Sequence, residues 1–91
     1  MHCPPELLGD LTGVLDQVRA LPHVVENKPG IFYVRRVAFL HFHLTKGVRS
    51  ADVRSGKTWG PRIDIPADAD DASRAAFLAE VRRRYEETAR A

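Results

Sequence analysis

The chain has a single cysteine, Cys3, so no internal disulfide can form, and a fold made without one fits the reducing cytoplasm. In a terminus expected to fray, that thiol reads as a bystander rather than a nucleophile. Long apolar runs are missing as well. Nothing approaches the roughly 18 residues a membrane-spanning helix needs, and "MHCPPELLGD" has neither the basic lead nor the apolar core of a signal peptide. The glycines make no G-x-G-x-x-G or Walker pattern, which leaves nucleotide phosphates without a loop to cradle them. There is no cysteine pair, no H-E-x-x-H helix and no nucleophile elbow.

What is present is an ordinary globular composition. The chain has 91 residues, 44% of them hydrophobic and 29% charged, enough for one domain over 1–91 with a modest core. Residues 1–4 and 89–91 are expected to fray. The net charge is only +2 but it is segregated: residues 28–62 carry +7, residues 1–27 carry −3 and residues 63–91 carry −2.

Leu7, Leu8, Leu11, Val14, Leu15, Val18 and Leu21 recur at the spacing of an amphipathic helix, entered through Pro4 and Pro5 and stopped by Pro22. "HVVENKPG" reads as a loop. "IFYV", "VAFLHFHLT", "VRSADVR" and "WGPRIDI" then read as short strands, with Arg35-Arg36, Lys46-Gly47 and Ser55-Gly56 as tight turns. Arg-Arg matches the favoured hairpin chemistry poorly. "DASRAAFLAEVRRRYEETARA" is a second helix, capped by Asp70 or Asp71, with Arg82, Arg83 and Arg84 on its solvated flank. The expected fold is α+β: helix, an antiparallel meander of three or four strands, helix. Both helices lie on one face of the sheet.

Two histidines at one strand spacing, "FLHFH", raise the question of where they point. A two-residue Lys46-Gly47 turn pairs Thr45 with Val48 and hence His43 with Ser50, His41 with Asp52 and Leu40 with Val53. Leu40, Phe42, Leu44, Ala51 and Val53 then share the buried side. A register one residue longer would set the Asp52 carboxylate among leucines, at a cost of several kcal/mol. Extended to the first strand, the same count puts Ile31, Tyr33, Ala38 and Leu40 under the helices. It puts Phe32, Val34, Val37 and Phe39 on the histidine side, where exposed phenylalanines form a patch that asks for a ligand or partner.

The working surface expected from this is the uncovered sheet face with Phe32, Phe39, His41, His43, Ser50, Asp52 and Arg54. It would serve a non-enzymatic binding module that takes a small or acidic ligand or a protein partner, with homodimerisation through the same face as a further option. No cofactor is implied. The main alternative is a nucleic-acid-binding module in which Arg35, Arg36, Lys46, Arg54 and Lys57 reach phosphates from strand ends and turns while the phenylalanines stack on bases. A third class is a small enzyme or metal site centred on His41 and His43, with Asp52 as a third ligand or orienting partner. For His41 and Asp52 themselves, an ordinary cross-strand hydrogen bond is the simpler expectation. Trp59, before Gly60-Pro61, reads as a packing residue at the rim of this face.

From "ALPHVVENKPGIFYVRRVAFLHFHLTKGVRSADVR" onward, the chain resembles the MmcQ/YjbR-like proteins and the small bacterial luciferase-domain family, whose equivalent strand often carries an H-x-H as "FLHFH" does here. "FLAEVRRRYEET" is similar to the group's "SYE" ending. The resemblance implies helices packed on one side of an antiparallel sheet and, for the MmcQ/YjbR-like group, a DNA-binding label drawn from fold analogy. The chain is shorter than that group's pattern, and "GKTWGPRIDIP" stands where the group has a basic-aromatic "KRHW"-type segment.

Overall fold

The computed structural model describes residues 1–91. The predicted first helix is divided: Pro5–Leu11 is a 3₁₀ helix, and only Thr12–Arg19 (α1) is α-helical. Leu11, at the junction, has left the helical well with φ −100° and ψ 11°, and the Thr12 hydroxyl donates to the Gly9 carbonyl at 2.7 Å. The apolar stripe survives the change of winding, because Leu8, Leu11, Val14, Leu15 and Val18 are all buried while Leu7 faces out.

Six strands follow, rather than three or four: β1 (Val24–Lys28), β2 (Ile31–Val34), β3 (Val37–Thr45), β4 (Val48–Ser55), β5 (Thr58–Trp59) and β6 (Ile63–Asp64). They form one antiparallel sheet in the order β1-β2-β3-β4-β5, with β6 also pairing to β4. The segment expected as a loop supplies β1. Its β-branched Val24 and Val25 pair with β2, and Glu26 is held by Arg19 and by the Gly30 amide. "WGPRIDI" is cut into β5 and β6 by Gly60 and Pro61, and each piece takes a different stretch of the β4 edge.

The β3–β4 register is the predicted one throughout, from Thr45↔Val48 to Leu40↔Val53. Lys46 and Gly47 have φ of 51° and 78°, the doubly left-handed turn that matches strand twist. Arg35 and Arg36 make the β2–β3 turn with the same signature, φ 49° and 72°, although neither is glycine. The third turn falls one residue later than expected, at Gly56-Lys57, because Ser55 pairs with Thr58.

One prediction fails between β2 and β3. Phe32 pairs with Leu40 but Tyr33 pairs with Ala38, so Phe39 is an extra, bulged residue. The bulge resets the alternation, and Phe32, Val34, Phe39 and Leu40 all turn toward the core; both phenylalanines are 0% exposed. Ile31, Tyr33 and Ala38 take the other side. The energies decide the matter: burying a phenylalanine is worth roughly 1.5–3 kcal/mol, whereas a ladder hydrogen bond is worth about 1 kcal/mol net.

The long helix α2 (Asp71–Arg90) is capped by Asp70, whose side chain accepts from the Ser73 amide. Phe77, Leu78, Val81 and Tyr85 join α1 and the inner sheet face in one core cluster, so both helices cover the same side. Contacts reach both ends of the chain. The Leu44 amide donates to the Met1 carbonyl and the Cys3 amide to the Phe42 carbonyl, Cys3 is buried, and Thr88 is buried near the end of α2. No helix is long and apolar enough to cross a membrane.

Two arginines are sunk in this covered side. Arg49 uses all five N–H donors, on Asp10 and on the carbonyls of Leu7, Ile65 and Pro66. Arg84 is not on the solvated flank as its neighbours are. It is buried and donates to Glu80 and to the carbonyls of Val53 and Pro61. Gly60 leaves room for it: a Cβ would stand 2.7 Å from the Arg84 guanidinium and would have to displace it.

Candidate functional site on the open sheet face

Alternation along β3 sends Phe42 inward and His41 and His43 outward, to the side neither helix covers. On β4 the same side receives Asp52 and Arg54. β5 adds Trp59 opposite Arg54. β6 pairs Ile63 with Ala51, and one further step along that ladder sets Arg62 opposite Asp52.

The side chains interlock. His43 Nε2 lies 2.8 Å from Asp52 Oδ2, and Arg62 forks onto the same carboxylate at 3.0 and 3.2 Å. His41 is the register partner of Asp52, yet its Nε2 stays 3.9 Å from Oδ2. The expected His41–Asp52 bond is therefore replaced by the diagonal one from His43, the neighbour within reach on a twisted pair. His41 instead packs edge-on against His43, centroids 4.6 Å apart, and against Trp59 at 4.9 Å. Its Nδ1 is buried with no hydrogen-bond partner. Arg54 lies over the Trp59 ring at 4.6 Å and anchors itself to the carbonyls of Ala38 and Lys57.

His2 joins from the chain terminus. An isolated bridge pairs its backbone with His43, and its ring sits 5.8 Å from those of both His41 and His43. The electrostatics follow from these neighbours. Hydrogen bonding from Arg62 holds the Asp52 carboxyl below its ordinary range. Burial, with His43 beside it, holds the His41 imidazole below the usual histidine value.

Of the residues expected to form this face, His41, His43, Asp52 and Arg54 are together on it. Phe32 and Phe39 are in the core, for the reason the bulge gives, so no phenylalanine patch exists. Ser50 is buried beside β6, paired with Asp64, and no hydroxyl or thiol hydrogen-bonds either imidazole. The basic residues split. Arg35, Arg54 and Lys57 line a cavity of about 290 Å³ at one end of the sheet, beside Thr88. Arg36 borders a separate depression with Val25 and Tyr33, and Lys46 is at the far end of the β3–β4 hairpin.

Sequence reasoning missed His2 and Arg62. Arg62 was within reach: alternation in "PRIDI" gives it the opposite side from Ile63, and a basic residue across from Asp52 is a natural pair. His2 carried no signal, because nothing local to "MHCPP" marks it as strand-forming. No protein-family model matches the chain, and neither curated proteins nor solved structures give a match.

Proposed function

We propose that the chain is a non-enzymatic, cytoplasmic binding module whose working surface is the open sheet face. The observation that supports this reading is the gathering of His41, His43, Asp52, Arg54 and Trp59 on the one side of the sheet that carries no helix. An aromatic edge, two imidazoles and two guanidiniums around a carboxylate offer an aromatic surface rimmed by donors. That chemistry suits a small ligand with an acidic group, with the ring on Trp59 and the anion against Arg54 or Arg62.

Trp59 is the only tryptophan, so the face carries its own reporter. A fragment library of small carboxylates and phosphate monoesters, screened by Trp59 fluorescence and mapped by amide NMR shifts, tests the reading. Binders should perturb Tyr33, His41 and Trp59 together. Binders that map to the helices, or a library without binders, would sink it.

A second reading rests on the basic cavity of Arg35, Arg54 and Lys57. It takes phosphates of a single-stranded nucleic acid. With three phosphate contacts, log affinity would fall against log salt with a slope of about −2, and salt-independent or absent binding of an oligonucleotide ends that reading.

A further inference from the structure

We propose that His41, His43 and Asp52 form a site for a divalent transition-metal ion, with His2 closing over it as a fourth ligand. The inference rests on the reading of the open face as the working surface and adds an ion to what that face takes. One ligand atom from each of the three residues lies within 4.8 Å of the others. Around a tetrahedral ion with bonds of about 2.0–2.1 Å, ligand atoms stand roughly 3.3 Å apart. The difference is about 1.5 Å at most, a distance on the scale of side-chain rotation.

The backbone holds these positions firmly. His41 and His43 are alternate residues of one strand, and Asp52 is the direct ladder partner of the first and the diagonal neighbour of the second. They sit on the most extensively paired hairpin of the sheet, which gives the rigidity a metal site needs. Asp52 Oδ2 already faces both imidazoles, at 2.8 Å and 3.9 Å. Arg62 bonds Oδ1 at 3.0 Å and can keep that contact as an outer partner that orients the carboxylate.

The hydrogen-bonding capacity of His41 is unspent. Neither ring nitrogen makes a hydrogen bond: Nδ1 is buried without a partner, and Nε2, 3.9 Å from Asp52 Oδ2, is the nitrogen turned toward the carboxylate and free to take an ion. His2 is anchored on either side, by the Met1 carbonyl and the Cys3 amide bonded to β3, so its ring is kept near the pair rather than swinging free. Two or three imidazoles with one carboxylate suit zinc, cobalt, nickel or copper. They do not suit calcium or magnesium, which want mostly oxygen.

The test uses the whole chain, stripped with chelator and titrated with Co²⁺ and then Zn²⁺. One equivalent of Co²⁺ should give the visible absorption of a four-coordinate nitrogen–oxygen site and quench Trp59, whose ring is 4.9 Å from that of His41; Zn²⁺ should erase the colour. His43→Gln should weaken binding at least about 100-fold, and His2→Ala about 10-fold. Stoichiometry other than one, or affinity unchanged in His43→Gln, overturns the site. If that variant does not fold, histidine-ring ¹⁵N shifts of the wild-type chain with and without Zn²⁺ decide the question, because coordination moves one nitrogen in each of three rings, those of His2, His41 and His43, and its absence moves none. If the metal arm fails while fragments still bind in chelator, the ion is wrong and the open-face reading stands. If the ion binds and no fragment does, with or without it, the small-ligand reading falls and the metal site stands.

Discussion

The molecule contains the same salt bridge twice, once on each side of its sheet. Arg49 forks onto Asp10 at 2.7 and 2.8 Å beneath the 3₁₀ helix, and Arg62 forks onto Asp52 at 3.0 and 3.2 Å on the open face. The Arg49 side chain is 2% exposed and that of Arg62 is 49% exposed. Around Arg49 every donor is used and three backbone carbonyls complete the set. Around Asp52 the carboxylate is shared with a histidine whose neighbour, His41, has a nitrogen bonded to nothing. One guanidinium is saturated; the other shares its carboxylate with an imidazole. Saturated polar groups under the helices, and one imidazole nitrogen without a partner on the other side of the sheet, are the contrast between the two regions.

The sharpest way to break this contrast is at the bulge. Phe39→Ala should cost about 3–5 kcal/mol, because the ring is wholly enclosed and packs edge-on with Tyr85, centroids 6.1 Å apart. Tyr33→Ala, one strand away but on the open face, should cost far less. Urea unfolding of the two variants reads the difference, and equal losses would mean that the alternation is not reset where β2 meets β3.

The two forks give the next largest effect. Arg49→Met should destabilise by about 3 kcal/mol, since it leaves the carbonyls of Leu7, Ile65 and Pro66 without their donors, while exposed Asp10 returns to water. Arg62→Met should leave the denaturation midpoint nearly unmoved, because its charge is already in water. A large loss in Arg62→Met would show that the open face is structural after all.

These contrasts also mark how far the sequence could be read. The β3–β4 register was legible because a wrong step would bury Asp52, a penalty visible in the residues themselves. The bulge was not, because Phe32 and Phe39 are equally content in either phase of a local alternation; only the volume of a core shared with Phe77 and Tyr85 chooses. β1 was hidden by "ENKPG", whose turn residues mask a strand stabilised from outside by Arg19. Arg84 looked like its neighbours Arg82 and Arg83, since a buried arginine is recognisable only once the carbonyls of Val53 and Pro61 are there to receive it. The pairing of His41, His43 and Asp52 on one side was readable; which imidazole takes the carboxylate depended on twist.

A smaller effect, of opposite sign, is expected at the β2–β3 turn. Arg36 holds φ at 72°, where an L side chain is strained and glycine is not. Its side chain is exposed, so Arg36→Gly should stabilise the hairpin by about 1 kcal/mol, read as a higher unfolding midpoint. Arg35 differs: its guanidinium caps the end of α2 through the Ala89 carbonyl at 3.0 Å, and Arg35→Gly should gain less or lose.

The smallest effect lies where covered and open chemistry meet on one carboxylate. Glu80 accepts from solvent-facing Arg83 and from buried Arg84. The Arg83 bonds first, and then that from Arg84, hold its carboxyl down at about 2, against an ordinary 4.5. Because the folded value is the lower one, the stabilisation is complete above about pH 4.5. It is lost progressively as the pH falls toward 2, where the unfolded chain takes up a proton that the folded chain refuses. Urea midpoints measured down this range should therefore fall, and Glu80→Gln should flatten the acid limb while lowering the neutral plateau. Salt separates the two partners: screening weakens the exposed Arg83 pair far more than the one with Arg84. An acid limb that vanishes entirely in high salt would mean that Arg84, for all its burial, contributes nothing to holding the charge.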